Sequence, residues 1–79
     1  MKKPIVEVSK RAVIGRINRK LKADMQMLRQ ARGWRAIQDL GEYYVIDFAK
    51  NWVADKDVDI EDFARKLDAL KPWEKVDEN

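Results

Sequence analysis

The sequence of 79 residues contains neither cysteine nor histidine. Their absence excludes thiol nucleophiles, disulfides, zinc sites of the usual Cys/His kind and imidazole acid–base catalysis. Without a covalent staple, a chain this short depends on its own core or on association for stability. The lack of cysteine also fits a reducing compartment better than a small secreted scaffold. We therefore expect a non-catalytic protein that uses no cofactor and no metal ion.

A long apolar run is also missing. No stretch approaches the roughly 18 apolar residues of a membrane span. The basic start at Lys2 and Lys3 is followed by Pro4 and Glu7, where a signal peptide would need an apolar segment. These features predict a cytoplasmic protein, or one in the host cytoplasm if it is phage-encoded, with no membrane partner. The length predicts one domain over residues 1–79, with an arm at 1–8 and a flexible tail at 74–79.

The apolar spacing predicts an α+β fold that begins with an amphipathic basic helix. Ser9 is a suitable N-cap, and Val13, Ile14, Ile17 and Leu21 then form one helical stripe. The next segment, about 25–32, has two interpretations: the helix continues to Gly33, or the segment is a third strand. We favour the strand because a two-stranded hairpin needs a further strand for stability.

The remaining segments predict a small antiparallel sheet and a last helix. A hairpin is expected at about 43–55, where Tyr44, Ile46 and Phe48 share one face and Asn51 occupies the turn. Residues 34–40 read as a short amphipathic linker. Asp59 is a strong N-cap for a C-terminal helix at about 60–70, which ends before Pro72.

The charges are unevenly distributed along the chain. Residues 1–36 hold eleven basic and two acidic side chains, a net of +9, whereas residues 37–79 hold six basic and twelve acidic ones, a net of −6. Basic groups next to an aromatic side chain are typical of nucleic-acid binding, because cations pair with phosphates and aromatic rings stack on bases. The acidic half either neutralises the basic residues within the fold or stays apart from them.

The basic half supplies the candidate binding residues. We predict that the chain docks on nucleic acid, or on a complex of proteins that bind nucleic acid, as a monomer or homodimer. The predicted site comprises Lys10, Arg11, Arg16, Arg19, Lys20, Lys22, Arg29, Arg32, Trp34 and Arg35.

Two acidic patterns match the residue patterns of known metal sites only in part. The stretch from Asp55 to Asp59 has alternating aspartates, but the Gly and Glu that a calcium loop requires are replaced by Ile60 and Lys66. A metal-dependent nuclease built on Asp47, Asp55 and Lys56 would need an acidic residue where Ala54 stands. The first pattern is better explained as a strand end followed by a helix cap.

The stretch at 32–47, with Asn51-Trp52-Val53 and residues 58–74, resembles small alphaproteobacterial and prophage proteins that have no defined activity. The resemblance implies no catalytic residues for this chain. Its size and its binding-only chemistry are similar to those of phage-encoded anti-CRISPR inhibitors. The alternative function is therefore a mobile-element inhibitor that uses the same basic surface to block a host defence complex by protein–protein contact. Trp34, Trp52 and Trp73 are separate candidate anchors for a protein partner. For Trp73 we favour a second interpretation, in which it folds back over the last helix after Pro72 and seals the edge of the core.

Overall fold

The computed structural model describes residues 4–77, which form an α+β fold with three α-helices and five strands in two sheets. In chain order the elements are β1 (Val6–Ser9), α1 (Lys10–Leu21), a 3₁₀ turn (Lys22–Asp24), β2 (Gln26–Gln30), α2 (Trp34–Leu40), β3 (Tyr43–Asp47), β4 (Trp52–Asp55), α3 (Ile60–Lys66) and β5 (Glu74–Asp77).

The N-terminal helix α1 begins where its cap predicts. The Ser9 hydroxyl accepts a hydrogen bond from the amide of Ala12 at 3.1 Å, and Val13, Ile17 and Leu21 are buried. After the 3₁₀ turn, Met25 adopts a left-handed conformation with φ of 58°, which stops the helix and redirects the chain. The segment that follows is strand β2, so the strand interpretation of residues 25–32 is confirmed for Gln26–Gln30.

The antiparallel sheet has the order β2-β3-β4, which confirms the predicted hairpin. Leu28 pairs with Val45, Arg29 with Tyr44, and Ile46 with Val53, with a bulge between Val45 and Ile46 on the β4 side. At the hairpin turn, the carboxylate of Asp47 accepts hydrogen bonds from the amides of Ala49 and Lys50. Asn51 takes φ of 59°, the left-handed conformation that asparagine tolerates well.

The two faces of this sheet have different surroundings. Leu28, Tyr43 and Val45 are buried against the helices, and the core is completed by residues from α1, α3, the segment after α3 and β5: Val13, Ile17, Leu21, Ile60, Ala64, Ala69, Leu70 and Val76. The opposite side, which we call the outer face, carries Met27, Arg29, Tyr44, Ile46 and Val53. Tyr44 and Ile46 do share a face, as predicted, but it is the face away from the core.

Two segments differ from their predictions. Residues 34–40, read as a linker, form helix α2, in which no residue is buried; it ends at Gly41, whose amide donates to the carbonyl of Ile37 at 2.8 Å. Helix α3 ends at Lys66 and not near residue 70, because Leu67 leaves helical geometry and Asp68 takes φ of 59°. Among residues 4–77 no helix has the length and apolar character needed to cross a bilayer.

Strands β1 and β5 form a separate parallel pair, with Val6 opposite Glu74 and Val8 opposite Val76. The flexible tail predicted from residue 74 is therefore wrong for Glu74–Asp77, where Val76 is buried in the core. The predicted arm becomes strand β1 from Val6 onward. Positions 1–3 and 78–79, also assigned to the arm and the tail, lie outside the described residues.

Candidate nucleic-acid interface

The predicted site residues fall into two groups on different elements. Six lie on α1 and the 3₁₀ turn, and we call them the α1 cations: Lys10, Arg11, Arg16, Arg19, Lys20 and Lys22. The other four, the β2–α2 group, come from β2, the loop after it and α2: Arg29, Arg32, Trp34 and Arg35. The prediction from the sequence places these ten residues on one basic surface, whereas the fold places them on several surfaces.

Helix α1 divides its own cations between two flanks, because its apolar stripe is buried in the core. Arg16, Arg19 and Lys20 line an open groove of about 390 Å³ together with Lys71 and residues 68, 69 and 74. At 100° per residue, Arg11 lies about 140° around the helix from Arg16.

The second flank of α1 faces the edge of β2. Lys10, Arg11 and Ile14 line a groove of about 400 Å³ with Gln30 and Tyr43. On the same flank, the side-chain oxygen of Asn18 accepts a hydrogen bond from the amide of Leu28 at 2.8 Å. This bond pairs an amide on the free edge of strand β2. Part of the second flank of α1 is therefore already in contact with the sheet.

Arg16 is committed to an intramolecular contact. Its guanidinium donates to a carboxylate oxygen of Glu74 at 2.8 Å and to the carbonyl of Ala69 at 3.4 Å. The same Glu74 oxygen accepts from the amide of Lys71 at 2.9 Å. The hydrogen bond from Arg16, and after it the one from Lys71, lowers the pKa of Glu74 below its ordinary value of 4.5. Arg16 thus anchors β5 to α1 and is the one predicted cation that the fold pairs with a described acid.

The other eight predicted cations have no ion-pair partner among residues 4–77. Besides Arg16–Glu74, the ion pairs in that part of the chain are Arg65–Glu61 at 3.2 Å and Lys66–Asp62 at 3.6 Å. Both of these pairs lie within α3, four residues apart. The basic half and the acidic half are therefore joined by a single ion pair in residues 4–77, although Asp68 and Glu74 also line the groove of Arg19 and Lys20.

A cluster of acidic side chains lies at the passage from β4 to α3. Asp55, Asp57, Asp59 and Asp62 line an open cleft there, together with Lys56 and Lys66. Asp59 caps α3 by accepting from the amide of Asp62, and Asp55 accepts from the amide of Lys56. In the described part of the chain, no three carboxylates come together in a way that could hold a metal ion. Among these aspartates, Asp59 therefore serves as the N-cap of α3.

Two tryptophan side chains are exposed, and each has its own cation beside the ring. Trp34 is 67% exposed, with the guanidinium of Arg35 at 5.8 Å from its ring centre, and Trp52 is 59% exposed, with the ammonium of Lys50 at 5.2 Å. An exposed ring with an adjacent cation can stack on a base while the cation meets a phosphate. A third such contact joins Lys10 to Tyr43, whose ring is buried.

Sequence reasoning missed two cations that the fold brings to these surfaces. Lys71 completes the groove of Arg19 and Lys20, although it lies about fifty residues further along the chain. Lys50 stands over Trp52 at the hairpin turn. A signal was present for Lys50, because a lysine two residues before a tryptophan flanks a predicted turn. No local signal places Lys71 beside α1.

Comparison of the chain with protein-family models, curated proteins and solved structures found no match. The resemblance to small alphaproteobacterial and prophage proteins remains a prediction, and the candidate site rests on the geometry of the chain.

Proposed function

We propose that this chain is a non-catalytic protein that docks on nucleic acid, alone or within a nucleoprotein complex, through its unpaired cations. The supporting observation is that eight of the nine predicted basic residues lack an ion-pair partner in residues 4–77. Cations without an ion-pair partner in the described part of the chain are available to phosphates.

The physical basis is the release of counterions. A nucleic acid carries condensed cations along its phosphates, and each lysine or arginine that replaces one gives a favourable entropy that falls as salt rises. The acidic cleft repels phosphates, so the charge distribution also favours one orientation of the complex. Within this arrangement, Trp34 beside Arg35 provides an exposed aromatic ring, whereas the Tyr43 ring beside Lys10 is buried.

The experiment is a fluorescence-anisotropy titration with labelled random-sequence DNA and RNA at several salt concentrations. We expect a complex at low salt whose affinity falls linearly with salt on logarithmic axes. The double variants R19E/K20E and R29E/R35E are expected to weaken binding and to reduce the salt slope.

The matched control is K56E/K66E, which changes the net charge equally but alters cations of the acidic cleft. It is expected to weaken binding less than either test variant. The proposal fails if no complex forms at low salt with any nucleic acid, or if the control weakens binding as much as the test variants do.

A second candidate function is inhibition of a host defence complex through protein contact, as in anti-CRISPR proteins. The observation that favours it is the exposure of large apolar side chains, above all Trp34 and Trp52, since exposed tryptophans are common anchors of protein interfaces. A plaque assay on a host with active CRISPR immunity tests it. Expression of the chain is expected to restore plaques and W52A to abolish this effect; unchanged immunity contradicts it.

A further inference from the structure

The outer face of the β2-β3-β4 sheet exposes apolar side chains beside one arginine. Side chains alternate along β2 and β3, so Leu28 and Val45 enter the core while Met27 and Ile46 emerge on the other side. Val53 stands opposite Ile46 and extends this surface onto β4. Met27 and Val53 are each 43% exposed, and Tyr44 and Ile46 are half-buried.

The outer face carries positive charge and no negative charge. Arg29 is its single charged side chain and lies opposite Tyr44 in the register. The stacked pairs of Arg35 with Trp34 on α2 and of Lys50 with Trp52 at the hairpin turn supply further cations on neighbouring elements. None of the five outer-face residues carries a carboxylate.

We infer that the outer face binds a single strand of nucleic acid, with unpaired bases against Tyr44 and its apolar neighbours and phosphates against Arg29. This inference rests on the proposed function and names its ligand more closely. Flat bases stack on aromatic side chains and pack against apolar ones. The phosphates of the strand pair with cations and are repelled by carboxylates. A duplex hides the faces of its bases in the stack and offers this surface only its backbone.

The same charges argue against a second copy of the chain as the occupant. If two outer faces met around a two-fold axis, the Arg29 side chains of both copies would enter one apolar interface with no acidic residue from either face to pair them. A single strand supplies the negative charge that a second copy lacks.

The test compares short single-stranded DNA and RNA oligonucleotides with a duplex of the same sequence, again by anisotropy at low salt. We expect the single strands to bind more tightly. Y44L removes the ring but keeps an apolar side chain, and it is expected to weaken single-strand binding at least about fivefold, the lower end for loss of one stacked base. Y44F keeps the ring and is expected to bind as the unaltered chain does.

A second pair of variants tests the charge of the face. M27E places a carboxylate at an exposed position of the outer face and is expected to weaken single-strand binding while duplex binding changes little. K66Q makes the same one-unit change in the acidic cleft and serves as its control. Circular dichroism of each variant checks that the fold persists.

The outcomes separate this inference from the proposed function. Equal affinity for single strands and duplex, or unchanged single-strand binding in Y44L and M27E, overturns the inference but leaves phosphate docking intact. Absence of any complex at low salt overturns both. Dimerisation in sedimentation experiments that M27E abolishes, without a preference for single strands, overturns the inference in favour of a second copy on this face.

Discussion

The two faces of the β2-β3-β4 sheet differ sharply although they are built from the same three strands. Leu28 is 4% exposed and Val45 1% exposed, because α1 and α3 cover their face. One residue away along each strand, Met27 and Ile46 lie on the side away from that core. The period of two in a strand therefore separates residues that stabilise the fold from residues that are free to bind.

The largest expected effect is a difference in stability between substitutions at two neighbouring positions of β2. L28A removes a buried side chain from the core and is expected to lower the free energy of unfolding by about 3 kcal/mol. M27A removes an exposed side chain of similar size and is expected to change it by less than about 0.5 kcal/mol. Urea unfolding of both variants checks this, and equal losses would contradict the assignment of the two faces.

The second effect concerns Gly41, which leads into β3. Gly41 has φ of 78°, and a Cβ there would fall against the carboxylate of Asp57 and 2.7 Å from its Cα. G41A is therefore expected to cost about 2 kcal/mol of stability, since both the conformation and the space oppose a side chain.

Gly15 provides the matched control for that substitution. It is exposed in the interior of α1, and a Cβ there meets nothing within 4 Å. G15A is expected to raise the free energy of unfolding by about 0.5 to 1 kcal/mol, because alanine favours the helix. A loss of stability in G15A would show that this side of α1 is not open.

The third effect tests the protected edge of the sheet. N18A removes the acceptor of the Leu28 amide and is expected to cost about 1 kcal/mol in urea unfolding, because that part-buried donor loses its partner. N18D keeps an oxygen at the same place and is expected to cost less. On the outer face, R29A breaks no hydrogen bond or ion pair described within residues 4–77 and is expected to stay within about 0.5 kcal/mol. Equal losses in N18A and N18D would rule out the hydrogen bond as the cause.

The smallest effect is a pH dependence at the contact between α1 and β5. The pKa of Glu74 is lowered in the folded chain, so the unfolded chain binds its proton more readily. The stabilisation from Glu74 is then complete above its ordinary pKa of 4.5 and is lost as the pH falls through the lower folded value.

Urea midpoints of the unaltered chain and E74Q, measured from about pH 6 down to about pH 3, check this. The advantage of the unaltered chain is expected to shrink as the pH falls. E61Q, which removes an exposed pair within α3, is expected to cost at most a few tenths of a kcal/mol. An advantage that stays constant with pH would contradict the role of Glu74.

The sequence predicts those elements whose signals are local. The cap at Ser9, the stripe of α1 and the alternation around Tyr44 each lie within a few residues, and all three correspond to elements of the structure. The alternation shows which residues share a face but not which face is covered, because that depends on where α1 and α3 pack. Strand β5 was missed since its partner β1 lies at the other end of the described chain.

The candidate site was predictable to the same extent. The residue types and the charge excess of the first half are visible in the sequence, and eight of the nine cations have no ion-pair partner in residues 4–77. The pairing of Arg16 with Glu74, 58 positions away, was not visible, because a helical wheel gives the flank of a side chain but not the element packed on it. The position of the acidic cleft depends likewise on the turn from β4 into α3.

The parallel pairing of β1 with β5 has a consequence for how the chain folds. Val6 meets Glu74 only after a loop of nearly the whole described chain has closed, which costs more entropy than the hairpin of β3 and β4. We expect this pair to form after the rate-limiting step and to open first. Weakening it would then speed unfolding and leave the folding rate almost unchanged, so the kinetic lifetime of the native state is set where the two ends of the described chain meet.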